Sequence, residues 1–499
     1  MWRDLGLTEE DWQRTPDGVR TVLLSLHHQL RLFQIRHTAY ELQISALRKE
    51  VAQLDDLKAE INELRERLNQ NSANSSRPPS SDPPYKKRPK PDGKRSKKKK
   101  RGGQPGHQGI GRLLKPLAEV DHLVELQPLK CRQCGRKLTG EDPAPARRQV
   151  SEIPPARAEV TEYRRHTLCC SSSGVATPAD WPEEMPAGSF GPRAKAIVAY
   201  LAGRVGASHR DVTEAMEVLH GLKVGLGTVS RIEWQVSEAL AEPVERARRF
   251  VRRQRAQYVD ETGWKESGKQ NWLWINATRD VTVFHLLGNR NAEAARTVID
   301  AQAKGTITSD RCGAYNWLTG RRRQICWAHL MRDFQAFVER GGDSKTTGDS
   351  LLRQARESFK LWRKMSDGLL TRTDLKARME PIKERVRRLL KEGSRSTYAK
   401  TRRTCQNILK VEQSLWRYVE IEGVEPTNNH AERGLRRAVL WRRKSFGTQS
   451  ESGSRFVERI LSAAQTLKQQ GRDLLEFLTL ACTATRSGNR PLRLSPDSS

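Results

Sequence analysis

This 499-residue sequence lacks long apolar runs and has only eight cysteines. No stretch of about 18 apolar residues occurs, so a membrane-spanning helix is excluded. The first residues include acids and lack the apolar segment of a signal peptide, so we expect no secretion. The eight cysteines are scattered along the chain and are too few for a disulfide scaffold. A reducing, cytoplasmic compartment is therefore expected.

An abundance of Lys and Arg gives the chain a large excess of positive charge. Lys and Arg number 90 against 59 Asp and Glu, which gives a formal net charge of +31 at pH 7 and a sequence pI of about 10.2. An excess of this size is more than solubility requires and is typical of proteins that bind a polyanion, above all nucleic acid. The length allows several domains of roughly 150 residues each.

A heptad repeat marks residues 19–70. Leu57 and Leu64 fill its intermediate positions, and its main positions are Phe33, Tyr40, Leu47, Leu54, Ile61 and Leu68. Such a seam, flanked by Glu and Arg, predicts a coiled coil through which copies of the chain associate into a homo-oligomer. The alternative is a long helix that packs against its own domain.

The segment 71–101 is of low complexity. Its first part is rich in Ser, Asn and Pro and cannot bury apolar surface, which predicts a flexible linker. Between Lys86 and Arg101, eleven basic residues stand against one acid, Asp92. This basic run predicts a disordered tail that adds salt-sensitive, sequence-independent affinity for DNA.

Cysteine spacing predicts a small zinc-finger-like module over residues 120–180. Cys131 and Cys134 have the separation of a zinc knuckle, and a glycine follows them. The candidates for the second pair are Cys169 and Cys170. Because adjacent cysteines clamp a tetrahedral ion poorly, an empty or degenerate site is the alternative to bound zinc.

Two helices around a glycine-containing turn are predicted within residues 190–245. The first carries Val212 and Met216 on one face, and the second starts near Thr228 and continues through Trp234. A helix-turn-helix of this kind would place its second helix in the major groove of DNA. The alternative is an ordinary helical hairpin.

Two aspartates occupy strands of a predicted α/β core. The pattern of β-branched and aromatic residues predicts strands over 257–264, 271–276, 281–286 and 305–310, with a helix over 291–301 before the last. Asp260 lies on the first strand and Asp310 ends the fourth. Carboxylates on neighbouring strands can hold Mg²⁺ or Mn²⁺, and two such ions about 4 Å apart support phosphodiester chemistry. This order predicts a ribonuclease-H-like mixed-sheet core, although both aspartates are also common strand-end turn residues.

The segment 323–329 is expected to form a fifth strand that runs into a helix carrying Arg332. His329, the last residue of this segment, is a candidate to contact a phosphate, or else satisfies a backbone group. Residues 341–421 are strongly basic and helical in pattern. Since they follow the fifth strand, they are predicted to be a helical insertion in a catalytic domain that spans 250–480.

Glu432 is the candidate third carboxylate. It lies near the start of a predicted helix, with Arg433 and Arg436 close by to contact phosphates. Two structural interpretations compete with a catalytic one. Asn429 and Glu432 have the spacing of a capping box, and Glu432 with Arg436 has the spacing of a helix ion pair.

Together these residues resemble the signature blocks of the insertion-sequence sixty-six family of DDE transposases. The similarity covers residues 30–480 and includes the leucine-zipper-like helix, the Ser- and Pro-rich linker and the zinc-finger-like module. The sequence blocks that carry it are Asp260-Glu261-Thr262, Ser309-Asp310, Cys326-Trp327-Ala328-His329-Leu330 with Arg332, and Asn428-Asn429-His430-Ala431-Glu432-Arg433.

The resemblance implies that Asp260, Asp310 and Glu432 form a catalytic DDE triad. The implied protein is a Mg²⁺- or Mn²⁺-dependent enzyme that cleaves DNA at the ends of a mobile element and joins them to target DNA. It also implies a bacterial, nucleoid-associated location and possible companion proteins of the same element. The alternatives are an inactive DNA-binding regulator or remnant, and a nuclease that cleaves without joining.

Two features depart from the family pattern. The second cysteine pair of the module is normally separated by two residues, but here Cys170 directly follows Cys169 and Ser172 occupies the expected fourth position. The C-terminal stretch 486–499 is short and polar and does not match the family's usual small terminal domain. Neither departure affects the predicted triad.

Overall fold

A computed structural model describes most of the sequence. The described residues are 6, 8–69, 113–182, 185, 188–302, 304–487 and 492–496, with only the backbone described at 52, 54–69 and 485–487. The predicted linker over 71–101 lies outside them. The chain divides into two units, Met1–Pro89 and Lys90–Ser499. Within the described ranges, no helix combines the length and the apolar character needed to cross a bilayer.

The first unit consists of two helices, α1 (Glu9–Arg14) and α2 (Asp17–Asn69). At about 1.5 Å per residue, the 53 residues of α2 extend roughly 80 Å. The apolar side chains of the predicted seam are exposed where they are described: Phe33 is 69% exposed, Tyr40 63% and Leu47 58%. The long helix is confirmed, and the coiled coil remains a prediction.

In the second unit, strands β1 (Thr167–Cys169) and β2 (Ala176–Pro178) form a small antiparallel pair. Four helices follow, α3 (Pro192–Ala199), α4 (His209–His220), α5 (Leu226–Ala239) and α6 (Ala241–Arg252). Apolar side chains from all four share one core with the C-terminal helices α14 (Glu451–Gln470) and α15 (Leu474–Ser487).

The predicted helical pair corresponds to α4 and α5. Gly221 ends α4 in the left-handed conformation, with φ of 64°, which costs glycine little. The second helix begins two residues earlier than expected, at Leu226. Its inner face is buried, whereas Arg231 is exposed and Trp234 is 53% exposed on the opposite face. The hairpin is confirmed, and DNA binding by α5 remains a prediction.

A five-stranded sheet forms the centre of the second unit. Its strands are β3 (Ala256–Glu266), β4 (Lys269–Ala277), β5 (Thr282–Leu287), β6 (Thr306–Ser309) and β7 (Arg323–Ile325), arranged in the order β5-β4-β3-β6-β7. The pairs β3–β4 and β4–β5 are antiparallel, and β6 is parallel to both β3 and β7. Helix α7 (Ala292–Val298) precedes β6, so the predicted order of strands and helix is confirmed.

The outer edge of β5 is covered by helix α14. Three side chains spaced four residues apart on α14 accept hydrogen bonds from alternate N–H groups of β5: Thr466 from Thr282 at 3.0 Å, Ser462 from Phe284 at 2.9 Å, and Glu458 from Leu286. An exposed edge would offer these N–H groups to another strand. Here the side chains of α14 accept these hydrogen bonds in place of another strand.

Helix α8 (Trp327–Arg340) follows β7 and leads into the helical segment predicted as an insertion. Its helices are α9 (Gly342–Ser366), α10 (Arg372–Gly393), α11 (Ala399–Lys410) and α12 (Arg417–Glu420). They share an apolar core with α8 that is separate from the other cores. After this segment the chain returns to the sheet and forms α13 (Asn429–Ser445).

Candidate active site

Asp260 lies on the central strand of the sheet. Tyr258 and Val259 before it are buried in apolar clusters on opposite faces, because successive side chains of a strand alternate. Asp260 shares its face with Tyr258, which is the face packed against α13. Burial and then the carboxylates of Glu261, Asp310 and Glu432 raise its pKa well above the ordinary value.

Asp310 directly follows β6 and is level with Asp260 on the neighbouring strand β3. Tyr258 pairs with Thr308 in the parallel register of β3 and β6, so two residues further along each chain are Asp260 and Asp310. Neighbouring strands are separated by about 4.8 Å. The Oδ1 atom of Asp310 accepts a hydrogen bond from Cys312 N at 2.9 Å, and this bond fixes the turn after the strand.

A loop joined to the same strand positions Glu432. Asn428, at the start of α13, donates from Nδ2 to the carbonyl of Val259 at 2.8 Å, one residue before Asp260. Its N–H donates to Cys326 Sγ at 3.2 Å. The first turn of α13, which contains Glu432, is therefore fixed relative to Asp260.

The capping-box interpretation of Glu432 is wrong. Helix α13 begins at Asn429 with Asn428 as its N-cap, and no side chain caps it. Glu432 Oε1 is buried without a hydrogen-bond partner. In the described part of the chain, Glu432 makes no ion pair with Arg436, and its Oε1 lies 3.8 Å from Nδ1 of His329.

The three predicted carboxylates lie near one another, but they are too far apart to bind one ion together. Asp310 and Glu432 both act on the pKa of Asp260, but the triad is absent from the groups of described side chains whose ligand atoms lie within 4.8 Å of one another. Crowded carboxylates and an unpartnered buried oxygen are features that a divalent cation would satisfy. The residues present therefore fit a hard divalent ion.

A network around Glu261 was not predicted from the sequence. Glu261 is 8% exposed; it accepts a hydrogen bond from Arg290 Nε at 2.6 Å and another from the Tyr315 hydroxyl. Strand alternation places it on the face opposite Asp260. Arg290 and Tyr315 are 29 and 54 residues away in the chain, so no local pattern could have revealed them.

The predicted phosphate ligands divide into two groups. His329 lies beside Glu432, and burial followed by the charge of Arg332 lowers the His329 pKa to about 4, so its imidazole is neutral at pH 7. Arg433 and Arg436 are on the exposed side of α13. Of the predicted set, His329 lies beside Glu432 and Arg332 is close enough to act on its pKa, whereas Arg433 and Arg436 are exposed on α13.

The zinc candidates lie in two turns of the same design. Cys131 N donates to Arg136 O at 2.8 Å, and Gly135 N donates to Cys131 O at 2.9 Å; Cys170 repeats both bonds with Val175 and Gly174. Ser173, and not Ser172, therefore takes the position equivalent to Cys134. Hydrogen bonds from Ser173 lower the pKa of Cys170 to about 7.

Cys131, Cys134, Cys169 and Cys170 are all free thiols. They do not appear among the described groups of three or more side chains close enough to share an ion. Zinc binding by the module therefore remains a prediction.

Parts of the chain are similar to known proteins and protein families. An uncharacterized protein, y4qI, of Sinorhizobium fredii (strain NBRC 101917 / NGR234) is 27% identical over 252 residues, which cover 44% of this chain and 45% of that protein. A family of unknown function (DUF6444) matches residues 31–113. The model of the family described as "Transposase IS66 family" matches residues 188–455, which is more than half of the chain. The protein therefore belongs to the IS66 family of transposases.

Proposed function

We propose that this transposase binds the ends of an insertion sequence and catalyses metal-dependent DNA strand cleavage and strand transfer. The observation that carries the proposal is that Asp260 on β3 and Asp310 directly after β6 lie at the same level of two neighbouring parallel strands. Glu432 faces them from α13, which is bonded to the strand at Val259. Strand order, with three antiparallel strands followed by two parallel ones, supports a ribonuclease-H-like core.

In this proposal the chain supplies the ligands and the orientation. Asp260 and Asp310 would hold the divalent ions, Mg²⁺ or Mn²⁺, and Glu432 would complete the site. Bound ions of this kind activate the attacking oxygen and stabilise the leaving oxygen of a phosphodiester. The hydrogen bonds of Asn428 keep Glu432 in place. The hydrogen bond from Cys312 N holds the carboxylate of Asp310 at the strand end.

Exposed cations around the site support DNA as the substrate. Helix α9 bears Arg353, Arg356, Lys360 and Arg363, whose spacing of three and four residues places them on one face. Within the described ranges none of the four forms an ion pair with an acid. Such a row can bind a phosphate backbone without reading its sequence.

This row extends along α9 to the level at which α8 begins. Gly348 allows α9 to pack tightly on α8, since a Cβ there would stand 2.7 Å from the Phe334 carbonyl and 2.8 Å from Val338 N. Because α9 runs back along α8, the residues near Ala355 are level with Trp327, where α8 begins. The exposed cationic face of α9 therefore extends beyond the N-terminal end of α8, which is the end that carries His329.

The test uses the full chain with a labelled duplex of the element end and Mg²⁺ or Mn²⁺. The wild type should produce nicked and joined DNA. D260N, D310N and E432Q should bind the duplex with unchanged affinity and form no products, because each loses a charged ligand. A matched control is E422Q, which removes an exposed carboxylate close before α13.

Each outcome selects one function. Binding without new DNA ends in the wild type would indicate a regulator, and nicks without joining would indicate a nuclease. Cleavage by E432Q near the wild-type rate would remove Glu432 from the proposed triad.

A further inference from the structure

A second set of ligand-type side chains meets where α8 and α13 begin. Cys326, His329 and Glu432 each offer one ligand atom, and these atoms lie within 4.8 Å of one another. Cys326 is the N-cap of α8 and precedes His329 by three residues, which places both on one side of the helix start. Glu432 comes from the first turn of α13.

Two of the three atoms have no partner. His329 Nδ1 and Glu432 Oε1 are buried without a hydrogen bond and are 3.8 Å apart, which is too far for a hydrogen bond between them. Two atoms that bind the same ion at about 2.0–2.2 Å stand about 3–4 Å from one another. Their separation therefore fits a shared metal ion.

The third ligand, Cys326, makes the set of three side chains favour zinc over magnesium. Cys326 is fully buried, and its Sγ accepts a hydrogen bond from Asn428 N at 3.2 Å. Hydrogen bonds of this kind orient and stabilise a metal-bound thiolate. One sulfur, one imidazole nitrogen and one carboxylate oxygen suit zinc with a fourth position open, whereas Mg²⁺ prefers oxygen alone.

We propose that Cys326, His329 and Glu432 form a zinc site, and that zinc bound there withdraws Glu432 from the catalytic carboxylates. His329 is then a metal ligand and does not contact phosphate. The site itself is independent of the proposed function, whereas its inhibitory effect rests on the proposed role of Glu432. Zinc would hold the enzyme inactive even when Mg²⁺ is present.

Binding can be measured without activity by using Co²⁺ in place of zinc. The chain for this test is the full-length variant with C131S, C134S, C169S and C170S, so that the zinc-finger-like module contributes no signal. It should bind one Co²⁺ with a thiolate-to-cobalt charge-transfer band, and Zn²⁺ should displace the ion. Adding C326S should abolish the band, and adding H329Q or E432Q should weaken binding at least tenfold.

The matched control is C405S, which removes another fully buried thiol from the insertion. It should leave the band unchanged. Persistence of the band in C326S would overturn the proposal. If C326S fails to fold, unchanged Co²⁺ affinity in both H329Q and E432Q would overturn it equally.

Inhibition is tested separately in the cleavage assay with Mg²⁺. The zinc concentration that halves each protein's own activity should rise at least tenfold in C326S and stay constant in C405S. Equal zinc sensitivity in both variants would refute the inhibitory role. If no protein cleaves DNA, the proposed function fails, while the Co²⁺ measurement still decides whether the metal site exists.

Discussion

Asp260 occupies a position proposed to be catalytic, in surroundings that disfavour its charged form. It lies beside three other carboxyl groups, and burial raises its pKa most strongly. A carboxyl group whose pKa is higher in the folded chain than in the unfolded chain binds its proton more tightly when folded. Stability is therefore lost as the pH rises from the ordinary value of 3.8 through the raised one.

We expect D260N to stabilise the protein at pH 7 in the absence of divalent ions. The amide removes the cost of charging this carboxylate, and each unit of pKa shift corresponds to about 1.4 kcal/mol. A gain of 1 kcal/mol raises Tm by about 2–4 °C in a domain of about 150–250 residues. Thermal unfolding in EDTA measures the change, and Mg²⁺ should stabilise the wild type more than the variant.

The control for this prediction is D280N, which changes an exposed aspartate in the turn after β4. It should leave Tm unchanged. A lower Tm for D260N than for the wild type in EDTA would show that the carboxylate is stabilised by contacts other than those described.

The adjacent residues Asn428 and Asn429 allow a direct comparison between an asparagine that bonds to the strand and one proposed to cap the helix. Asn428 is fully buried and bonds to Val259, whereas Asn429 is exposed. N428A should lower the free energy of unfolding by about 1–3 kcal/mol, because the buried carbonyl loses its donor. It should also slow DNA cleavage, since Glu432 is no longer held. Urea unfolding and single-turnover cleavage measure the two effects.

N429A should change neither quantity. Equal damage from both variants would restore the helix-capping role that the sequence pattern suggested for Asn429. Little effect from N428A would instead mean that the contact of α13 with β3 does not depend on this hydrogen bond.

Local patterns in the sequence identified the residues of the candidate site but not their contacts. Asp260 on a predicted strand, Asp310 at a predicted strand end and Glu432 near a predicted helix start could be chosen from the pattern, although each also had a structural interpretation. The partner of Asn428 is the backbone of Val259, 169 residues away, and no spacing rule reaches that far. The equivalence of Ser173 with Cys134 likewise depends on backbone hydrogen bonds, which the cysteine spacing alone does not determine.

At the scale of elements, the edge of the sheet depends on side chains of a helix. Strand β5 would otherwise present free N–H groups, and α14 covers them with Glu458, Ser462 and Thr466. The strand pattern of residues 281–286 predicted β5 itself. The helix that covers it could not be predicted, because polar side chains four residues apart normally indicate a solvated face.

We expect S462A to lower the free energy of unfolding by about 1–3 kcal/mol. The substitution leaves the buried N–H of Phe284 without an acceptor. S452A, at an exposed position in the first turn of the same helix, should have an effect below about 0.5 kcal/mol. Chemical unfolding of both variants measures the difference, and equal values would show that α14 is held by its apolar contacts alone.

At the scale of the whole molecule, the two units are stabilised by different means. The second unit buries apolar side chains in several clusters around the sheet and helices. In the first unit, α2 leaves Leu26, Phe33, Tyr40 and Leu47 more than half exposed along one side. Isolated helices gain most of their stability from packing an apolar face, so this side lacks a partner within the described chain. A second copy of the helix is the partner that a heptad seam fits.

We expect F33S with L47S to reduce the oligomer of the full chain, because both substitutions remove apolar area from the seam. The matched control is I35S with L42S, which removes exposed apolar side chains from another side of the helix, about 120–180° around its axis from Phe33 and Leu47 at 100° per residue. Light scattering coupled to size-exclusion chromatography gives the mass of each variant. The seam variant should have a lower mass than the wild type, and the control should keep it. An equal loss in both variants would mean that association depends on general hydrophobicity, and an unchanged mass in both would place the subunit contact elsewhere in the chain.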